Sequence, residues 1–162
     1  MIPAIQGFLV NAVVRCHKTI LADLQTDRSM TNLVTAVRVR DSVIWAFVSD
    51  AFLLRQRGKK LEQINRDLGQ GVRGRRFSIW LGDRHFQRRY IDSGQLQIDA
   101  GDTFVLATDG LMKHPTQSPE AFLKVPIPPG SVGDLCRDMA REFALKGRDN
   151  LAIALFQGRG ET

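Results

Sequence analysis

The stretch TFVLATDGLMKH, residues Thr103 to His114, places a carboxylate directly after an apolar strand. Residues Thr103 to Ala107 have the apolar and β-branched side chains of a buried strand, and Thr108, Asp109 and Gly110 follow at once. An acid delivered to a sheet edge in this way is a common way to begin a metal site. Asp-Gly is also one of the commonest turn signals. The stretch alone leaves both interpretations open.

The composition indicates one globular domain over residues 1–162. Of these residues 43% are hydrophobic, which is enough for a core. The apolar opening MIPAIQGFLVNAVV lacks a basic segment and carries Gln6 and Asn11, so neither a signal peptide nor a membrane span is predicted. Cys16 and Cys136 have no CxxC partner, which suits a reducing compartment. We therefore expect a cytoplasmic protein that makes no membrane contact.

The basic excess points to anionic partners. The formal net charge is +6, and much of the excess lies in RGRRFSIWLGDRHFQRR, residues 73–89. Arg73, Arg75 and Arg76 open this segment, which could be a basic rim that attracts phosphorylated substrate, a nucleic-acid patch or a solvated loop face. No nucleic-acid-binding motif accompanies it, so no nucleic-acid partner is predicted.

The order of elements predicts an antiparallel α+β fold. Apolar residues at helical spacing predict a first helix from about Pro3 to Leu24, which SMTN ends. Short β-branched runs then predict an antiparallel meander of LVTAVRV, SVIWAFV, AFLLRQ and KKLEQIN. Further strands are predicted at FSIWL, QRRYID, TFVLAT and LAIALFQ, with a short helix after Ser118-Pro119 and a longer one from Ser131 to Gly147.

A second aspartate stands in GRDN, residues 147–150, where the last helix gives way to the last strand. If that strand neighbours TFVLA, Asp109 and Asp149 open on one edge of the sheet. Hard ions such as Mg²⁺ and Mn²⁺ prefer such oxygen ligands. Each aspartate also has a plain alternative, a turn residue for Asp109 and a strand-entry cap for Asp149.

Four segments in order resemble the metal-dependent protein phosphatases, the PPM or type 2C serine/threonine family. MTNLVTAVRVRDSVIWAFVSD is similar to that family's "GTTLVAA…LYVANVGD", and AFLLRQRGKKLEQINRD to its "AYLLRDGKLEQLTRD". AGDTFVLATDGL is similar to "PGD…LLCSDGL", and GRDNLAIALF to "GRDNITVVVV". The matches are collinear and cover Ile20 to Phe156.

The resemblance implies an antiparallel β-sandwich flanked by helices, with a two-metal cleft at the sheet edges. In that family a water bridging two Mn²⁺ or Mg²⁺ ions attacks phosphoserine or phosphothreonine in a phosphoprotein substrate. Asp109 and Asp149 match the aspartates that hold one metal, and Asn150 matches the residue that shapes the adjoining turn. Asp50 matches an aspartate implicated in a weaker third ion site.

The chain also departs from the family pattern. The family's "DGHGG", whose Asp bridges both metals, is absent from these residues, and residues 1–29 instead match the helix that follows it. Lys113 stands where the family commonly has an acid, and is either a charge in place of a third ion or a surface lysine. An inactive domain that binds phosphoproteins or a regulatory partner is therefore the alternative. Sheet edges left open by missing strands predict a partner chain or self-association.

Overall fold

The computed structural model describes residues 1–23, 30–65, 79–113, 132–146 and 152–158. Its helices are α1 Ile2–Asp23 and α2 Val132–Lys146, and its strands are β1 Leu33–Val39, β2 Ser42–Val48, β3 Phe52–Arg57, β4 Lys60–Gln63, β5 Asp92–Gln97, β6 Thr103–Ala107 and β7 Ile153–Gln157. They form two compact units, Met1–Ala51 with Asn65–Gln97, and Phe52–Ile64 with Ile98–Thr162. The single domain expected over residues 1–162 stays a prediction.

The first unit is a helix on a three-stranded antiparallel sheet of order β1-β2-β5. Residues Val43 to Val48 of β2 are all buried, as expected for the central strand of the sheet. One face of β2 packs with the apolar stripe of α1 in a core cluster made of Leu9, Val10, Val13, Ile44, Ala46, Val48, Leu81 and Ile91. The three- and four-residue spacing of that stripe is what makes α1 a helix with one buried side.

The second unit is a four-stranded antiparallel sheet of order β4-β3-β6-β7, with α2 against β7. Its core cluster joins the sheet to α2 and to the turn after β6, through Leu54, Val105, Ala107, Leu111 and Met139. Val105, Leu111 and Met139 are fully buried. The predicted α+β fold with two antiparallel sheets and helices on them is confirmed.

Three details of the sequence prediction are wrong or incomplete. The meander is two separate hairpins, β1–β2 and β3–β4, because the chain changes sheets after β2. QRRYID is a 3-10 turn, Arg88–Tyr90, and the strand begins only at Asp92, where pairing with β2 begins. Of the described residues of FSIWL, Leu81 alone pairs, in a bridge to Thr31. The short helix after Ser118-Pro119 lies outside the described residues.

The register of β5 on β2 reflects cross-strand packing. Trp45 of β2 lies opposite Gly94 of β5, and a Cβ on Gly94 would stand 2.4 Å from Cζ2 of Trp45. The indole therefore occupies the space that a side chain at position 94 would need. This contact fixes the register of β5 on β2 by shape, since a larger residue at position 94 does not fit under Trp45.

Candidate functional site

Asp109 lies where β6 leaves its sheet. It begins a 3-10 turn, Asp109–Lys113, and is half-buried. The preceding Thr108 is bonded twice to the start of β7: its backbone N–H donates to the Ala152 carbonyl at 3.0 Å, and its Oγ1 accepts the Ala152 N–H at 3.0 Å. The end of β6 and the start of β7 are thus joined at Thr108, one residue before Asp109.

The turn beyond Asp109 is anchored as well. The Leu111 N–H donates to the Thr108 carbonyl at 3.1 Å, and the Leu111 side chain is fully buried in the core cluster of the second unit. Asp109 is therefore held between two fixed residues. A carboxylate on such a support is positioned with little freedom, which is what a ligand-binding group requires.

The other residues predicted for the site are only partly described. Asp149 and Asn150 lie outside the described residues, as do Arg73, Arg75 and Arg76. Lys113 is the last residue of the turn that Asp109 begins.

Asp50 follows β2 in the first unit. Its Oδ1 accepts hydrogen bonds from Asn32 Nδ2 at 3.1 Å and from Ser49 Oγ at 3.2 Å. Ser49 has a φ of 73°, in the left-handed region that favours glycine. The chain thus keeps a strained residue just before Asp50, at the point where it leaves β2. The two bonds orient the Asp50 carboxylate.

The described residues do not by themselves fit a two-metal centre. Within them, no three His, Cys, Asp or Glu side chains come together as a group that could hold a metal ion. Asp50 belongs to the first unit and Asp109 to the second. Each is a hard oxygen ligand of the kind that Mg²⁺ and Mn²⁺ accept, but a bridged pair of ions needs several such ligands.

Sequence reasoning missed a charged cluster at the other end of β6. Asp102 is fully buried and accepts hydrogen bonds from Arg57 Nε at 2.8 Å, from Arg57 Nη2 at 2.7 Å and from the Asp99 backbone N–H at 3.0 Å. Arg57 also pairs with the Asp99 carboxylate at 2.7 Å. Burial alone would raise the pKa of Asp102, but the bonds from Arg57 and Asp99 outweigh it and hold that pKa below its usual value.

This cluster stabilises the sheet and stands apart from Asp109. Asp102 precedes the first residue of β6, whereas Asp109 follows its end. The Asp102 carbonyl also accepts the Gly158 N–H at 2.8 Å, which ties the start of β6 to the end of β7. The signal in the sequence is the Gly-Asp pair before the strand: Gly101 has a φ of 84°, and the Asp102 N–H closes a turn onto the Asp99 carbonyl at 3.1 Å.

Comparison with known proteins supports the fold at the level of structure. No protein-family model matches the chain, and no curated protein sequence matches it. Among solved structures, the serine/threonine phosphatase of S. agalactiae matches with a TM-score of 0.79, over 96% of this chain and 71% of that chain, at 18% identity. This chain has the fold of the PPM-type serine/threonine phosphatases.

Two other PPM-type structures match over a similar extent. Stp1 from Staphylococcus aureus has a TM-score of 0.72 at 16% identity, over 98% of this chain and 68% of that one. PppA, described as a key regulatory component of T6SS in Pseudomonas aeruginosa, has a TM-score of 0.64 at 20% identity, over 98% and 72%. Among the described residues, no helix is long and apolar enough to cross a membrane.

Proposed function

We propose that this chain is a protein serine/threonine phosphatase domain of the PPM kind. In this proposal Asp109 and Asp149 hold a divalent ion, Mn²⁺ or Mg²⁺, and a phosphoserine or phosphothreonine of a phosphoprotein is the substrate. The observation that carries it is the Thr108–Ala152 junction, which holds Asp109 beside the start of β7. A cytoplasmic location is part of the same proposal.

Chain connectivity supports a role for Asp149 beside Asp109. In the sequence Asp149 stands three residues before Ala152, and three peptide units reach at most about 11 Å. Ala152 itself is bonded to Thr108, the neighbour of Asp109. When bound, a divalent ion lowers the pKa of its water and offsets charge on the phosphoryl oxygens. The matching phosphatase domain of SpoIIE from Bacillus subtilis is described as presoaked with Mn.

A second candidate function is binding without hydrolysis. It is supported by the formal net charge of +6, much of which lies in residues 73–89. Arg73, Arg75, Arg76 and Lys113 would then attract phosphoproteins or a regulatory partner by charge, so binding would weaken as salt is added. The edge strands of the two sheets, β1, β5, β4 and β7, are the places where a partner chain or a second copy would pair.

Hydrolysis of p-nitrophenyl phosphate and of a phosphothreonine peptide, with and without Mn²⁺, separates the two candidates. We expect Asp109→Asn to lower Mn²⁺-dependent turnover by about 100-fold or more, since even groups behind a metal ligand cost 10- to 100-fold when changed. Asp138→Asn, an exposed position on α2, is the matched control and should keep full turnover.

No turnover from folded, soluble protein, together with salt-sensitive binding of the phosphopeptide, would reject the enzyme and support the binding domain. Turnover that survives Asp109→Asn would reject the proposed metal ligand.

A further inference from the structure

We infer that the first unit carries a binding site for a small organic anion with an apolar body, in an open pocket between α1 and residues 88–93. The cavity has a volume of about 530 Å³. Pockets that take drug-sized ligands span about 300–1,000 Å³. Gly7, Val10 and Ile91 supply apolar lining, while Arg88, Arg89 and Ser93 supply polar groups.

The two arginines make the pocket positive. Arg88 Nη1 donates to the amide oxygen of Asn11 at 2.8 Å, and the Arg89 guanidinium lies over the Tyr90 ring at 5.3 Å from its centre. Both partners are neutral, and no carboxylate among the described residues pairs with either arginine. Two positive charges held by neutral groups are suited to a carboxylate, sulfonate or phosphate, which guanidinium groups bind through paired hydrogen bonds.

Ser93 adds a third polar group. Its Oγ accepts a hydrogen bond from Gln6 Nε2 at 3.1 Å, which fixes the hydroxyl against α1. Because that bond uses the oxygen as acceptor, the hydroxyl hydrogen remains able to donate to an anionic ligand. The pocket thus combines donors from residues 88–93 with aliphatic surface from Val10 and Ile91.

Gly7 leaves open space beside α1. A glycine inside a helix costs about 1 kcal/mol relative to alanine. A Cβ on Gly7 would meet nothing within 4 Å, so no neighbouring group requires a glycine there. The missing side chain leaves open space beside α1 that an apolar ligand body can occupy. This site is separate from the proposed phosphatase function, since it uses none of the residues proposed for metal binding.

The test is a fluorescence titration of the full chain with 8-anilinonaphthalene-1-sulfonate, an aromatic ring system that carries one sulfonate. Gly7→Leu should fill the pocket and raise the Kd at least 10-fold. Gly133→Leu is the matched control, because Gly133 is also a helical glycine with nothing within 4 Å of a Cβ, and it should leave the Kd within twofold. Circular dichroism and urea unfolding check that each variant is folded.

Charge is tested separately. The double variant Arg88→Gln with Arg89→Gln should raise the Kd at least 10-fold without filling the pocket. Phenyl phosphate should displace the dye, whereas benzyl alcohol, which has the ring but no charge, should not. The proposal is overturned if both the filled and the neutralised variants bind like the unmodified chain, or if the neutral alcohol competes as well as the phosphate.

Discussion

Replacing Asp102 by asparagine removes the charge from a fully buried carboxylate without changing its size. In the unmodified chain the carboxylate accepts from two Arg57 donors and from the Asp99 N–H. The amide has only one acceptor oxygen, so its NH₂ group faces at least one of these donors. Hydrogen bonds to a charged group contribute about 1.5–3 kcal/mol each. The Arg57 side chain is 45% exposed and can turn partly to water, which reduces the loss. We expect a fall of about 2–3 kcal/mol in the free energy of unfolding.

Asp99→Asn is the matched control. The Asp99 carboxylate pairs with the same guanidinium at 2.7 Å, but it is 57% exposed. Exposed ion pairs are worth about 0–1 kcal/mol, so this variant should lose no more than that. The comparison separates burial from charge, because both substitutions remove one negative charge beside Arg57.

Urea unfolding followed by circular dichroism measures both variants. With a slope of about 1–3 kcal/mol per molar urea, the expected loss shifts the Asp102→Asn midpoint by about 0.7–3 M at pH 7. Because the pKa of Asp102 is lower in the folded than in the unfolded chain, its contribution is full above the unfolded pKa of about 3.9 and is lost as the pH falls through the folded pKa. The difference in urea midpoint between the unmodified chain and Asp102→Asn should therefore shrink as the pH falls into the acid range. Equal midpoints for the two variants, or a gap that stays constant down to acid pH, would refute the reasoning.

Two further substitutions test the first unit. Gly94→Ala should lower the free energy of unfolding by about 1–3 kcal/mol and change the Trp45 fluorescence, because the new Cβ would lie 2.4 Å from the indole. Gly133→Ala, at an exposed position on α2, should instead stabilise by up to about 1 kcal/mol. Equal urea midpoints for the two variants would reject the packing argument. Ser49→Gly should be about 1 kcal/mol more stable than Ser49→Ala, because both variants lose the bond to Asp50 and only glycine relieves the φ of 73°. Urea unfolding measures both variants. Equal stability of the two would show that no strain is stored at position 49.

The sequence predicts the strands themselves better than which strands pair with each other. Apolar alternation was sufficient for the hairpins β1–β2 and β3–β4, whose strands are joined by short turns. It could not show that β2 pairs with β5 and not with β3, because that choice is made by residues about 50 positions apart. The strand predicted at QRRYID was wrong for a related reason. Its arginines fit an exposed strand, but β5 begins at Asp92, where pairing with β2 begins and from which Gly94 comes opposite Trp45.

The same limit applies to the site. The position of Asp109 at the end of a buried strand follows from local pattern, and the structure places it there. The Arg57–Asp102 pair does not follow, because it depends on the antiparallel register in which Gln56 lies opposite Thr103. Only that register brings the next residues, Arg57 and Asp102, together. The metal role of Asp109, Asp149 and Asp50 stays a prediction.

The segments that resemble the phosphatase family perform two separable tasks. AFLLRQRGKKLEQ contains Arg55 and Glu62, which pair across β3 and β4, and AGD contains the carboxylate that holds Arg57. These residues stabilise the second sheet whether or not an ion binds. The proposed metal chemistry would rest instead on Asp109, Asp149 and Asp50, of which Asp109 directly follows β6 of this sheet. A chain can therefore keep the phosphatase fold through the first set without the ligands of the second. The fold thus agrees with both proposed functions, and Mn²⁺-dependent turnover by the unmodified chain decides between them.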